Sequence, residues 1–167
     1  MKILLALLFS ISSCMGIFAQ NIDLGKLEEE KRNEYLIQIG KDVTKQFGPG
    51  YYREYKQPVI SMAEKFYSDD KRPEIVNNIG REYYTITFLY DKSKETLDFD
   101  FASEVKIWKD TGEPFEVIFG NGYGKNFLFI SYKQLKTIGV EPMDQIPYQQ
   151  IAIPNTNIGI ESSKEYR

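Results

Sequence analysis

Asp98, Asp100 and Glu104 fall in a stretch where apolar and polar residues alternate. On a β-strand, side chains an even number of residues apart share a face, and Asp98 and Asp100 would stand about 7 Å apart. Two carboxylates at that range suit glycoside hydrolysis, one as acid and the other as base or nucleophile. They also suit Ca²⁺. Alternation by itself puts polar residues on the solvent side of a half-buried strand, and Lys106 on the same face favours that plainer reading. These three are the candidate catalytic residues; no metal ligand and no cofactor is assigned.

The residue types that are missing exclude more chemistry than these three suggest. The 167 residues contain no His and one Cys, Cys14. Without His there is no Ser-His or Cys-His nucleophile–base pair and no His-ligated zinc, copper or non-haem iron. One Cys makes no intrachain disulfide and no thiolate zinc site. Carboxylate, Lys, Tyr and Ser chemistry remains. The net charge of −3 lacks the concentrated basic face that nucleic acid requires.

Aromatic residues are the other functional signal, with 12 Tyr, 11 Phe and a single Trp. Trp108 falls on the polar phase of the alternating stretch, together with Glu104 and Lys106. An amphipathic aromatic outside the apolar phase is the kind of residue that anchors a contact. Trp108, Tyr123 and Tyr84 are the candidate binding residues, although sheet and core packing must absorb most aromatics. The run Gly120-Asn121-Gly122-Tyr123-Gly124 suggests a phosphate loop, but Phe119 holds the first Gly place of that motif and Asn126 follows Lys125. The dinucleotide fingerprint fails at Lys125. A Gly-rich turn or bulge remains, and its exposed backbone N–H groups, with Tyr123, could line a ligand mouth.

Residues 1–19 read as a secretory leader: Lys2, an apolar run from Ile3 to Ile11, and a small residue at Ala19. The run is shorter than the ~20 residues of a spanning helix. Ile11-Ser12-Ser13-Cys14 offers a competing route, since it resembles a bacterial lipobox in which Cys14 becomes lipidated; only this route implies a membrane. Cleavage after Ala19 leaves 20 basic against 24 acidic residues, a charge of −4, and no Cys. A Cys-free exported domain points to a bacterial periplasm.

The remainder, 20–167, reads as one domain with an extended tail over 140–167. Leu36, Ile39, Val43 and Phe47 form one apolar stripe, which predicts a helix over 24–47, capped by Asp23 and stopped by Gly48-Pro49-Gly50. Gly40 inside that helix implies close packing on a sheet. An edge strand is expected within 51–60, limited by Pro58. Ser68 to Pro73 reads as a loop with solvated charges at Asp69 to Arg72, and Glu74 to Ile79 as a helical turn ending at Gly80. Strands are expected over 82–90, 96–109, 115–119 and 126–130, with Asp110-Thr111-Gly112 as a hairpin turn and Phe115, Val117 and Phe119 on the buried face. Ser131 is placed to cap a short helix ending at Gly139, and a last strand is expected near Ile151 to Ile153.

A long helix on an antiparallel meander of four to five strands is an α+β fold. This order of elements resembles cystatin-like and nuclear-transport-factor-like cones; the likeness is topological and no motif carries it. The functional expectation is an exported bacterial binding protein without catalytic activity. It would engage a protein or small ligand through a concave, aromatic-rich sheet face, an inhibitor or immunity protein meeting a basic partner being one form. A glycan-acting hydrolase using carboxylates and a lipid-anchored envelope component are the alternatives.

Overall fold

The computed structural model describes residues 22–53 and 56–138. The leader, Cys14, Tyr55, Gly139 and the 140–167 tail with its expected strand lie outside the described residues.

The chain is α+β: one main helix lies on a six-stranded antiparallel sheet. The helix, α1 (Glu29–Phe47), buries the stripe Leu36, Ile39, Val43 and Phe47 that its spacing predicts. It starts later than 24 because Asp23 accepts from the Gly25 N–H and caps a separate 3₁₀ turn, Leu24–Lys26. Gly40 faces the sheet. A Cβ there would come within 3.0 Å of the Phe88 ring and 3.3 Å of Ile86, so its absence lets the helix sit close.

The strands are β1 (Val59–Ile60), β2 (Glu64–Lys65), β3 (Glu82–Phe88), β4 (Ser103–Trp108), β5 (Pro114–Phe119) and β6 (Gly124–Asn126). Their order is β1-β3-β4-β5-β6, and β2 pairs with the same edge of β3 as β1. The expected strand within 51–60 shrinks to the two residues after Pro58, and Pro49–Tyr51 form a 3₁₀ turn instead. Between β1 and β2 the Ser61 hydroxyl takes the place of a main-chain acceptor for Thr85 N–H, which splits the edge in two. The helical turn in 74–79 appears as α2 (Pro73–Val76). Past β6, α3 (Tyr132–Ile138) opens on a reciprocal cap: Ser131 Oγ accepts from Gln134 N–H and Gln134 Oε1 accepts from Ser131 N–H.

Two features of the meander differ from the alternation pattern. The expected strand over 96–109 forms a ladder only from Ser103. Before it the chain bends so that Phe99 N–H donates to Gly120 C=O and Ala102 N–H to Phe88 C=O, which lays Leu97 and Phe101 against the Gly-rich turn. The second is a register shift between β4 and β5. Lys106 pairs with Glu116 and Ile107 with Pro114, which leaves Phe115 as the extra residue of a bulge. Val117 and Phe119 stay in the core under α1, whereas Phe115 turns to the other face, onto Trp108. The expected strand at 126–130 ends at Asn126, whose side chain accepts from Leu128 N–H and turns the chain.

The core lies between α1 and the inner sheet face: Tyr84, Ile86 and Phe88 from β3, Val105 and Ile107 from β4, Val117 and Phe119 from β5. One polar contact crosses it, between the buried hydroxyls of Thr44 and Ser103, 3.0 Å apart. Among the described residues no helix is long and apolar enough to cross a membrane.

Candidate functional site

With α1 filling the inner face, the surfaces left for recognition are the outer face of the sheet and the loops at the two ends of β4. Tyr84 belongs to the inner face, 7% exposed, with the Arg32 guanidinium 5.5 Å from its ring centroid. It is part of the core beneath the helix.

Trp108 ends β4 on the outer face, as its phase predicts, but it is only 4% exposed. Phe115 stacks on it at 3.9 Å and 17°, and the Arg81 guanidinium lies 4.1 Å from the ring centroid. Two groups that close to one ring must occupy opposite sides of it. Phe66 and Tyr83 meet it edge-on. Arg81 is fixed in turn by Asp110, to which it donates from Nε and Nη2, and by Asn78.

Further along the outer face runs a row of charge. Lys106 donates to Glu116 directly across the β4–β5 pair, Tyr83 donates to Glu64, and Thr87 lies 3.4 Å from Glu104. Burial pushes the Glu104 carboxyl above its usual range; Lys106 and Thr87 oppose this, and Glu116 and Glu64 add to it. Burial works against the Lys106 ammonium and is the largest single influence on it. The hydrogen bond it donates to Glu116, together with the charges of Glu116 and Glu104 and the Tyr83 phenol, outweighs burial and holds Lys106 above its ordinary value. Glu104 is therefore the one half-buried member of the three sequence candidates. Asp98 and Asp100 are not on this face. Both are exposed on the bent loop before β4, and Lys92 lies 2.6 Å from Asp100. The three carboxylates do not converge.

Asp98 and Asp100 instead join Tyr123 at the far end of β4, where two loops are locked together. Phe99 N–H donates to Gly120 C=O and Gly120 N–H to Ala102 C=O; Gly122 N–H and Phe119 N–H close the β5–β6 turn on Phe119 and Tyr123. Asn121 Oδ1 accepts from Tyr123 N–H. Gly122 holds φ at +82°, and a side chain at Gly120 would collide with the Phe101 carbonyl and Leu97, so this turn needs its glycines. Phe99 stacks on Phe101 at 5.3 Å and 18° and is 45% exposed; Tyr123 is 63% exposed. Tyr51 lies behind them on Phe119, its phenol raised by burial and lowered by Asn121. The loop before β4 is anchored by a buried two-pronged ion pair, Arg53 Nε and Nη2 to Glu95 at 2.9 and 2.8 Å.

Sequence reasoning did not single out Phe99, Phe101, Phe115 or Arg81. Phe99 and Phe101 were hidden by alternation, which assigns them to a buried face; the neighbouring Gly-rich turn was the available signal that this end leaves the sheet. Among the described residues no group of three or more Asp, Glu, His or Cys side chains could hold a metal ion. No protein-family profile, curated protein or solved structure matches the chain.

Proposed function

We propose that this chain is an exported bacterial binding protein, without catalytic activity, whose contact surface is the loop end formed by residues 96–102 and 120–123. The observation that supports this most is the exposure of Phe99 and Tyr123 on loops held rigid by backbone hydrogen bonds. Exposed aromatics on ordered loops give large contact area at little cost in conformational freedom. Asp98 and Asp100 beside them, with the −4 charge of residues 20–167, suit a basic protein partner, as an inhibitor or immunity protein would have.

A pull-down with the full chain as bait, from envelope and secreted protein of the source organism, tests this reading. The expected result is one stoichiometric partner, released as salt rises and lost with the Phe99→Ala/Tyr123→Ala double variant. Equal capture by bait and variant, or capture of nothing by either, overturns it. The hydrolase reading keeps one supporting observation, the raised Glu104 carboxyl. Of the two other carboxylates in its row, Glu116 is held by Lys106 and Glu64 accepts from the Tyr83 phenol.

A further inference from the structure

Trp108 is shielded by a loop that returns to its own starting point. Phe66 N–H donates to Arg81 C=O and Gly80 N–H donates to Phe66 C=O, so residues 66–80 form a closed excursion with a two-bond neck. From this neck, beside β3, residues 66–72 run without regular structure to Arg72, whose guanidinium lies 4.3 Å from the centroid of Phe129, beyond β6. Three to four strand spacings of about 4.8 Å separate these points, and six extended residue steps of about 3.3 Å just span them. The excursion is thus a strap across the outer face.

The strap is lightly fastened. Phe66 meets Trp108 at 5.5 Å and Phe115 at 5.7 Å, both edge-on. Ile75 is its only buried apolar side chain, while Tyr67, Val76 and Ile79 are exposed. Arg72 is 61% exposed, pairs with Asp70 inside the strap and, among the described residues, meets the rest of the fold at Phe129. What lies underneath holds in part without the strap. Phe115 stays stacked on one face of Trp108 from β5. Arg81, over the other face, is held both by Asp110 on the β4–β5 hairpin and by Asn78 within the strap, so lifting the strap loosens the guanidinium from the ring. Gly80, at φ +85° with open space around it, sits at the neck where a hinge must turn.

We propose that residues 66–80 are a hinged cover that lifts off Trp108 and Phe115 while α1 and the sheet stay folded, with Arg72 on Phe129 as its latch. Opening bares the Trp108 and Phe115 rings beside Lys106 and Glu116. Segments with few buried apolar contacts open well below the cost of global unfolding.

Hydrogen exchange and Trp108 oxidation by N-bromosuccinimide on the full chain test this. The amides of Phe66 and Gly80 should exchange at least ~100-fold faster than those of Val105 and Ile107, as a sub-global opening does. Arg72→Ala should speed both Gly80 exchange and Trp108 oxidation by the same factor, roughly two- to fivefold, the size of an exposed cation–π contact. Val105 and Ile107 should not change, and Arg72→Lys should restore the slower rates. Equal exchange of Gly80 and Val105 overturns the proposal. So does an Arg72→Ala variant in which Gly80 speeds up and Trp108 does not.

Discussion

The two ends of β4 are both rich in aromatic rings, yet one end turns them inward and the other presents them to solvent. At the Trp108 end, a ring lies on each neighbouring strand and a guanidinium covers the remaining face, so the unique Trp is almost inaccessible. At the Phe99 end, two loops pin each other through their backbones and leave Phe99 and Tyr123 open. Aromatic content alone therefore does not mark a contact surface. What separates the ends is which groups the chain itself supplies as partners. The bulge at Phe115 supplies one at Trp108, whereas the glycines at 120 and 122 supply none for Tyr123.

The largest expected effect follows directly. Trp108→Ala should cost about 3–5 kcal/mol of stability, as loss of a buried large side chain does, measured by urea denaturation followed by circular dichroism. Tyr123→Ala should stay within about 0.5 kcal/mol, as exposed substitutions do. A Trp108→Ala variant that keeps its stability and loses its partner would reverse the assignment of the two ends.

The next effect probes what stands behind the open end. Arg53 and Glu95 are 12% and 4% exposed and tie the segment after α1 to the turn that launches the 96–102 loop. Glu95→Gln removes the negative charge from a pair held away from solvent and should cost about 3 kcal/mol. The pair Arg53→Met with Glu95→Leu should recover most of that loss, because apolar side chains of similar size avoid the desolvation of two ions. The single variant should also weaken partner capture, since the loop that carries Phe99 loses its anchor. Unchanged capture with reduced stability would show that the loop is set by its backbone bonds to Gly120 alone.

The inner face was legible in the sequence and the ends were not. Leu36, Ile39, Val43 and Phe47 recur at helical spacing, and Tyr84, Ile86, Phe88, Val105 and Ile107 recur at strand spacing, because burial against a facing layer enforces those periods. Gly40 could be read as a close approach for the same reason. Alternation gave no warning at Phe115, since a bulge inserts one residue without changing local composition. It failed again at Asp98 and Asp100, where the period of two persists although hydrogen bonds to Gly120 and Phe88 replace the ladder. The strap lay beyond sequence reading as well: Arg72 and Phe129 are far apart in the chain, and nothing local in either predicts that they meet.

The smallest effect asks whether the outer face is as settled as the inner one. Burial raises the Glu104 carboxyl, so in the folded chain it retains a proton to higher pH than in the unfolded chain. Between the unfolded and folded values the folded state binds more protons, and stability therefore falls as pH rises through that window. The cost is absent below the unfolded value of about 4.3 and complete above the raised folded value. Glu104→Gln removes the charge. It should add ~0.5 kcal/mol at neutral pH, a modest gain because solvent reaches the face and screens it, and the gain should vanish near pH 4 as the native carboxyl becomes protonated. Urea denaturation of the native chain and the variant at both pH values measures the difference. A gain of equal size at both would mean that packing rather than charge is at issue. A loss at neutral pH would mean that the Glu104 carboxylate is satisfied as it stands, and the outer face would then be as self-sufficient as the Trp108 end.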